Sequence, residues 1–324
     1  MKELEKERQL FLEASKKEKW RTLIKVAIGL MLALVFLFIY LRKSGNWDID
    51  ENFYKFESVY SLLDYHSIYF YIFLFVLSLL FLFFLMKMGK GYSKEAYQRY
   101  KKAYKKYIVY DALDELFEDV KVYEDGFSSE DMADVGLISI GTHYESEDSF
   151  KGKYKNVPFE AAEIYTYHKD YRDDEYKTIV DFYGHYYIFE FNKKFKGDIK
   201  VFPENKVLKP KEKGTKIADL DLENDEFNKK FKVITEDKHL AYYILTPQLM
   251  EKMLKLDEQL MDVSFAFIDN KIHIAADFFA TGDLFEFDPY EKLNIKKEVK
   301  KVKEEMSTLI QIVDMLDLDN DLFK

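Results

Sequence analysis

Ser67 to Met86 is a run of twenty residues without a charge, rich in Phe, Leu, Ile and Tyr. As an α-helix rising about 1.5 Å per residue, it would be about 30 Å long, the thickness of a bilayer's hydrocarbon core. A second uncharged run, Val26 to Leu41, lies upstream. Together the two runs predict an integral membrane protein with most of its mass outside the bilayer.

The first run does not read as a cleaved leader. The segment ahead of it, Met1–Lys25, is long and holds five acids (Glu3, Glu5, Glu7, Glu13, Glu18), and the run ends on Leu41-Arg42-Lys43 with no small-residue cleavage site. Adding Leu23 and Ile24 gives a span over 23–41, with Lys25 snorkelling to the interface. Trp20 and Trp47 flank it, where amphipathic rings settle at headgroup depth.

The short flanks set the orientation. Residues 1–25 hold eight Lys or Arg. Residues 87–106 hold eight more (Lys87, Lys90, Lys94, Arg99, Lys101, Lys102, Lys105, Lys106) against Glu95 alone, whereas 42–66 holds three basic and five acidic residues. Basic excess marks the cytoplasmic side. The expected layout is a cytoplasmic segment 1–22, a first span 23–41, an external loop 42–66 and a second span 67–86. A basic juxtamembrane helix 87–120 and a cytoplasmic domain 121–324 follow. The juxtamembrane lysines could hold anionic lipid headgroups, or simply fix the topology while the neighbouring tyrosines pack on the domain.

The chain has 324 residues and no cysteine. That removes disulfides, zinc–thiolate centres, cysteine nucleophiles and iron–sulfur clusters. Its Lys-over-Arg bias and abundant Phe, Tyr and Ile are what an AT-rich bacterial coding sequence produces. Residues 107–324 carry 30 basic and 48 acidic residues, a balance near −18. Such a domain is repelled by nucleic acid and by an anionic membrane surface, and no nucleic-acid partner is expected.

Tyr97, Tyr100, Tyr104 and Tyr107 recur at helical spacing, and Leu113, Leu116, Phe117 and Val120 extend the apolar side, so a helix is predicted over 93–120. Ser128-Ser129-Glu130-Asp131 marks the start of a short helix. Strands are predicted within 150–202, where Phe182 to Phe191 is densely aromatic, and within 263–278. In the latter, Asp269-Asn270 is a hairpin turn. Thr246-Pro247 opens a helix over 246–261, and a last helix is expected over 290–317. Strands and helices do not alternate regularly, which argues against a parallel Rossmann-like sheet. The predicted fold is a membrane-anchored α+β protein: two transmembrane helices, then a cytoplasmic domain with a largely antiparallel sheet and flanking helices.

In the last helix, Val299, Val302, Met306, Leu309, Val313 and Leu316 repeat at heptad spacing. They fit either a homodimer seam or a helix laid along its own domain. Three heptads is the lower limit for a coiled coil, which favours the second reading.

Motifs that carry chemistry are missing. The six histidines (His66, His143, His168, His185, His239, His273) show no metal-ligand spacing. His273 falls on the polar side of the predicted hairpin and is expected to be exposed. Asp219 to Asp225 opens like a calcium loop, but its twelfth position is Lys230 and its sixth is no glycine; Asp317 to Asp321 reaches the end of the chain before a loop closes. No G-x-S-x-G, Walker-type loop or G-x-G-x-x-G occurs. No catalytic residue, metal site or cofactor is assigned.

Phe150-Lys-Gly-Lys-Tyr154, Val157-Pro-Phe-Glu-Ala-Ala-Glu163 and Phe189-Glu-Phe-Asn-Lys-Lys-Phe-Lys-Gly197 follow the double span. Phe227-Asn-Lys-Lys-Phe-Lys-Val233, Tyr243-Ile-Leu-Thr-Pro-Gln-Leu-Met250 and Val263-Ser-Phe-Ala-Phe267 come later. In this order the motifs resemble an uncharacterised bacterial membrane-protein family, classed as a domain of unknown function and sometimes labelled galanin-like. The resemblance implies a membrane-anchored cytoplasmic domain and brings no activity, cofactor or catalytic residue. The leading functional expectation is a non-enzymatic, membrane-tethered binding or scaffold module in contact with membrane lipids and an unknown protein partner. A ligand- or lipid-sensing domain with an aromatic-lined pocket is the alternative, and a hydrolase without a recognisable motif a third.

Overall fold

The computed structural model describes residues 2–44, 92–172, 175–191, 194, 196–204, 220, 222–260, 262–277, 285 and 287–318. The chain forms two compact units, one of residues 1–103 with 288–292, the other of 104–287 with 293–324.

The first unit is built on α1 (Lys2–Ser44), a single helix of 43 residues, and on most of α2 (Lys94–Tyr104). Leu4, Arg8, Phe11 and Ser15 are the buried stripe of α1, spaced four, three and four apart. Phe11 is the anchor: its ring lies 6.4 Å from that of Tyr92, 5.9 Å from Tyr97, 6.5 Å from Tyr100 and 5.3 Å from Tyr290. One turn earlier, Arg8 donates through Nη1 to the carbonyls of Pro289 (3.1 Å) and Glu291 (2.9 Å), and its other nitrogens clasp Glu5. This fork holds the Glu5 carboxyl below the usual range and raises the guanidinium.

Among the described residues no helix is long and apolar enough to cross a membrane. The expected span 23–41 falls in α1, whose side chains are described as far as Leu32; the span 67–86 and the loop 45–66 lie outside the described residues. The amino-terminal segment, read from sequence as a topogenic flank, is therefore also a packed structural element.

The second unit is an eight-stranded sheet: β1 (Glu118–Val122), β2 (His143–Tyr154), β3 (Val157–Arg172), β4 (Glu175–Glu190), β5 (Ile199–Pro203), β6 (Phe231–Thr235), β7 (Val263–Ile268) and β8 (Lys271–Asp277). The order is β1-β2-β3-β4-β8-β7-β5-β6 and every neighbouring pair is antiparallel. Its helices are α3 (Tyr110–Asp114), α4 (Ser129–Val135), α5 (Asp225–Lys230), α6 (Lys238–Ile244), α7 (Pro247–Leu260), α8 (Ile295–Glu305) and α9 (Ser307–Leu316).

Both faces are covered in part. One carries Phe159, Phe189, Ile272, Ile274, Phe265 and Phe267, all buried; Phe227 of α5 packs on Phe231 of β6 at 4.9 Å, and Phe117 on Phe159 at 4.9 Å. The other face buries Ile164, Phe182, Tyr186, Ala266 and Ala275 beneath Met132 of α4 and the following Leu137 and Ile138. Thus the aromatic residues of β4 contribute to both cores.

Local signals explain several boundaries. Ser128 Oγ accepts from Asp131 N at the start of α4, and Thr246 Oγ1 from Leu249 N at the start of α7. Asp269 takes φ 53° in the β7–β8 turn. Three expectations need correction. The helix predicted over 93–120 ends at Asp114, after a π-turn at Lys105–Val109, and Val120 belongs to β1. Leu113, Phe117 and Val120 keep helical spacing across what is a turn and then a strand entry, so periodicity alone misleads. The helix expected over 290–317 breaks at Met306 into α8 and α9, and starts on Asn294, whose side chain caps Lys297 N. Strands also reach beyond the expected 150–202, to β1, to His143 in β2 and to β6.

Candidate interaction surface

β3 and β4 are each 16 residues long, more than their neighbours can cover. β2 follows β3 only to Tyr167 (opposite His143), and β8 follows β4 only from Gly184 (opposite Asp277). Beyond those points, among the described residues, His168–Arg172 and Ile179–Glu175 are laddered only to each other. At about 3.3 Å per residue, this two-stranded arm is roughly 17 Å long.

A bulge sets where the arm begins. The register shifts after Thr166, with Phe182 opposite Thr166 and Val180 opposite Tyr167, so Asp181 is the extra residue. Its Oδ2 lies 2.8 Å from His168 Nδ1. Gly141, at φ 61°, passes close beneath: a Cβ there would meet Tyr167 O at 2.6 Å and Asp181 Oδ2 at 2.7 Å, so only glycine fits.

Directly opposed residues share a face, and successive residues alternate. One face of the arm therefore carries Tyr171 opposite Tyr176, Lys169 opposite Thr178, and Tyr167 opposite Val180. The reverse face carries Asp170 opposite Lys177 and His168 opposite Ile179. The rings of Tyr171 and Tyr176 are 4.8 Å apart, and the two residues are 56% and 76% exposed. At the root the array continues: Tyr167 stacks on His143 at 4.4 Å and meets Tyr165 at 5.3 Å, and Tyr165 meets Tyr183 at 5.5 Å. Cross-strand aromatic pairs stabilise a ribbon by about 0.5–1 kcal/mol, which is one use for Tyr171 and Tyr176. At 76% exposure, however, Tyr176 leaves most of its ring to water or a partner.

Two histidines are buried. His273 Nδ1 lies 3.2 Å from the Tyr186 hydroxyl; burial, with Lys271 and Lys200 adding repulsion, pushes its pKa down to about 4. His185 Nδ1 lies 3.3 Å from the Tyr187 hydroxyl, and burial lowers it to about 4 also. Burial raises both tyrosines. These are neutral, buried hydrogen-bonded pairs. The expectation of an exposed His273 is overturned because β8 is an inner strand and its polar-looking face lies beneath the segment that follows α4. The remaining described histidines, His143, His168 and His239, do not meet, and among the described residues no three His, Asp or Glu gather as metal ligands. His66 lies outside the description.

A groove of about 640 Å³ is lined by Lys121, Lys151, Lys153 and Lys271 and by Asp114, Asp119, Glu160 and Glu190. Its charges cancel, as on an ordinary solvated face.

The residues proposed to meet lipid are spread along both flanks. Trp20, Lys25, Lys94, Arg99, Lys102 and Lys106 are exposed, and Lys101 is half-buried; Trp47, Lys87 and Lys90 lie outside the described residues. Lys105 differs from them: it is ion-paired with Asp148, which is buried. Of the heptad set, Val302, Met306, Leu309, Val313 and Leu316 are buried within the single chain and Val299 is half-buried. Sequence reasoning missed the arm. The available signal was a long strand pair whose outer half, Tyr167 to Val180, alternates aromatic and charged residues with no apolar face complete enough for a core.

No curated protein matches the chain. The crystal structure of the mycobacterial trehalose monomycolate transport factor A, TtfA, is similar at 10% identity with a TM-score of 0.34, covering 69% of this chain and 96% of that one. At that score the likeness establishes neither a shared fold nor a shared activity. Residues 180–318, from the arm's return strand to just past α9, match the family described as "Protein of unknown function (DUF3137)".

Proposed function

We propose that this protein is a membrane-tethered binding module. Two spans, 23–41 and 67–86, hold the sheet unit at the cytoplasmic surface, and the β3–β4 arm is its contact element. The observation that carries the tether is the packing of Phe11 on Tyr92, Tyr97 and Tyr100. These residues belong to the two basic flanks that bracket the apolar runs. Flanks that touch must lie on one side of a bilayer, as a hairpin of two antiparallel spans requires. The length of α1 fits: its 43 residues extend about 65 Å, of which the hydrocarbon core takes about 30 Å. The reading is non-enzymatic, with lipids and a partner protein as its contacts.

Extraction of membranes at alkaline pH tests the tether: the chain stays in the pellet if the spans are real and is released if it is peripheral. A photo-crosslinking residue at Tyr176 tests the contact element. It gives a defined adduct in native membranes under this reading, whereas the same residue at Tyr242, 49% exposed on α6, gives none. Equal labelling at both positions removes the arm from its role.

A further inference from the structure

We infer that the occupant of the arm's aromatic face is the headgroup layer of the bilayer itself; this rests on the tethered reading above. The arm is an amphipathic ribbon. The face bearing Tyr171, Tyr176, Tyr167 and Val180 has one charge, Lys169, and no carboxylate, while Asp170 and Lys177 oppose each other on the reverse face. An apolar-bodied ring with a polar tip is the side chain that settles between acyl chains and headgroups. The lone Lys169 is complementary to lipid phosphates.

Charge also decides how the ribbon lies. Arg172 opposes Glu175 on that reverse face as well, so the ribbon turns its aromatic face, whose one charge is Lys169, toward the headgroups. Two tyrosines and a lysine bind a free surface weakly. On a chain already held in the same membrane, effective concentration strengthens that weak contact. A separate protein would have to bind without this advantage.

The test uses the full chain in vesicles of phosphatidylcholine and phosphatidylglycerol. With its only tryptophans replaced (Trp20→Phe, Trp47→Phe), a Tyr176→Trp variant reports on the arm and a Tyr242→Trp variant serves as comparison. Lipids brominated near the ester should quench the Tyr176→Trp variant at least twofold more than the Tyr242→Trp variant. A nitroxide at Thr178→Cys should collide with dissolved oxygen more, relative to a water-soluble relaxant, than one at Lys177→Cys on the reverse face. Equal quenching in the two tryptophan variants, or equal collision ratios on the two faces, overturns the inference. Shielding from the water-soluble relaxant without lipid quenching means a protein covers the arm, and overturns it too. If the chain fails to float with the vesicles, the tether itself falls, an outcome distinct from the others.

Discussion

The hydroxyl of Tyr186 on β4 and Nδ1 of His273 on β8 sit 3.2 Å apart inside the sheet unit, both buried. The pair makes acid sensitivity a property of the core. His273 and His185 are both lowered from 6.5 to about 4, so the folded state refuses a proton that the unfolded chain accepts. Their stability is complete above pH 6.5 and is lost as pH falls towards 4. Each shift corresponds to about 3 kcal/mol. Urea midpoints should drop steeply between pH 6.5 and 4.5. A His273→Gln variant, which keeps a partner for Tyr186, should lose about one proton's worth of that slope. An unchanged slope would mean His273 titrates freely.

Ser264 of β7 is fully buried, and its Oγ has no hydrogen-bond partner among the described residues. It faces the core of Phe182, Tyr186 and Ala275. An orphan hydroxyl in apolar surroundings costs about 1 kcal/mol. Ser264→Ala should therefore stabilise the protein by about that amount in urea titration; a loss of stability would reveal a missed partner.

Lys105 and Asp148 form an ion pair whose carboxylate is buried, at a bulge where Asp148 holds φ 58°. Lys105→Met removes this cation from beside a buried carboxylate and should cost about 3 kcal/mol. Lys102→Met, three residues away on an exposed position, should leave stability unchanged. Equal effects would place Lys105 with the surface lysines.

The fragment Ser93–Lys324 contains every strand of the sheet and both of its cores, and its negative charge opposes association. It should be soluble and unfold in one cooperative transition by circular dichroism. A non-cooperative melt would show that the sheet needs α1.

Short-range chemistry was readable from residues. Ser128 and Thr246 cap helices through backbone N–H groups three residues on, Asp269 takes the positive φ of its turn, and each marks an element of the structure. What was not readable depends on distant cover. His273 is buried by a segment over a hundred residues earlier. The stripe Leu4, Arg8, Phe11, Ser15 hides because two of its members are polar, and Arg8 finds its acceptors at Pro289 and Glu291. The acidic stretch Glu145 to Asp148 lies in β2, where the ladder to β3 holds it. The arm was invisible for the converse reason: a strand's length is legible only against the length of its neighbours.

The tether is tested most directly by impermeant maleimide labelling of intact cells, in a chain with no cysteine of its own. With Ser44→Cys and Ser93→Cys introduced singly, the account predicts labelling of the Ser44→Cys protein from outside. The Ser93→Cys protein should react only after permeabilisation. Labelling of Ser93→Cys but not Ser44→Cys on intact cells, or recovery of both proteins from the soluble fraction, would contradict it.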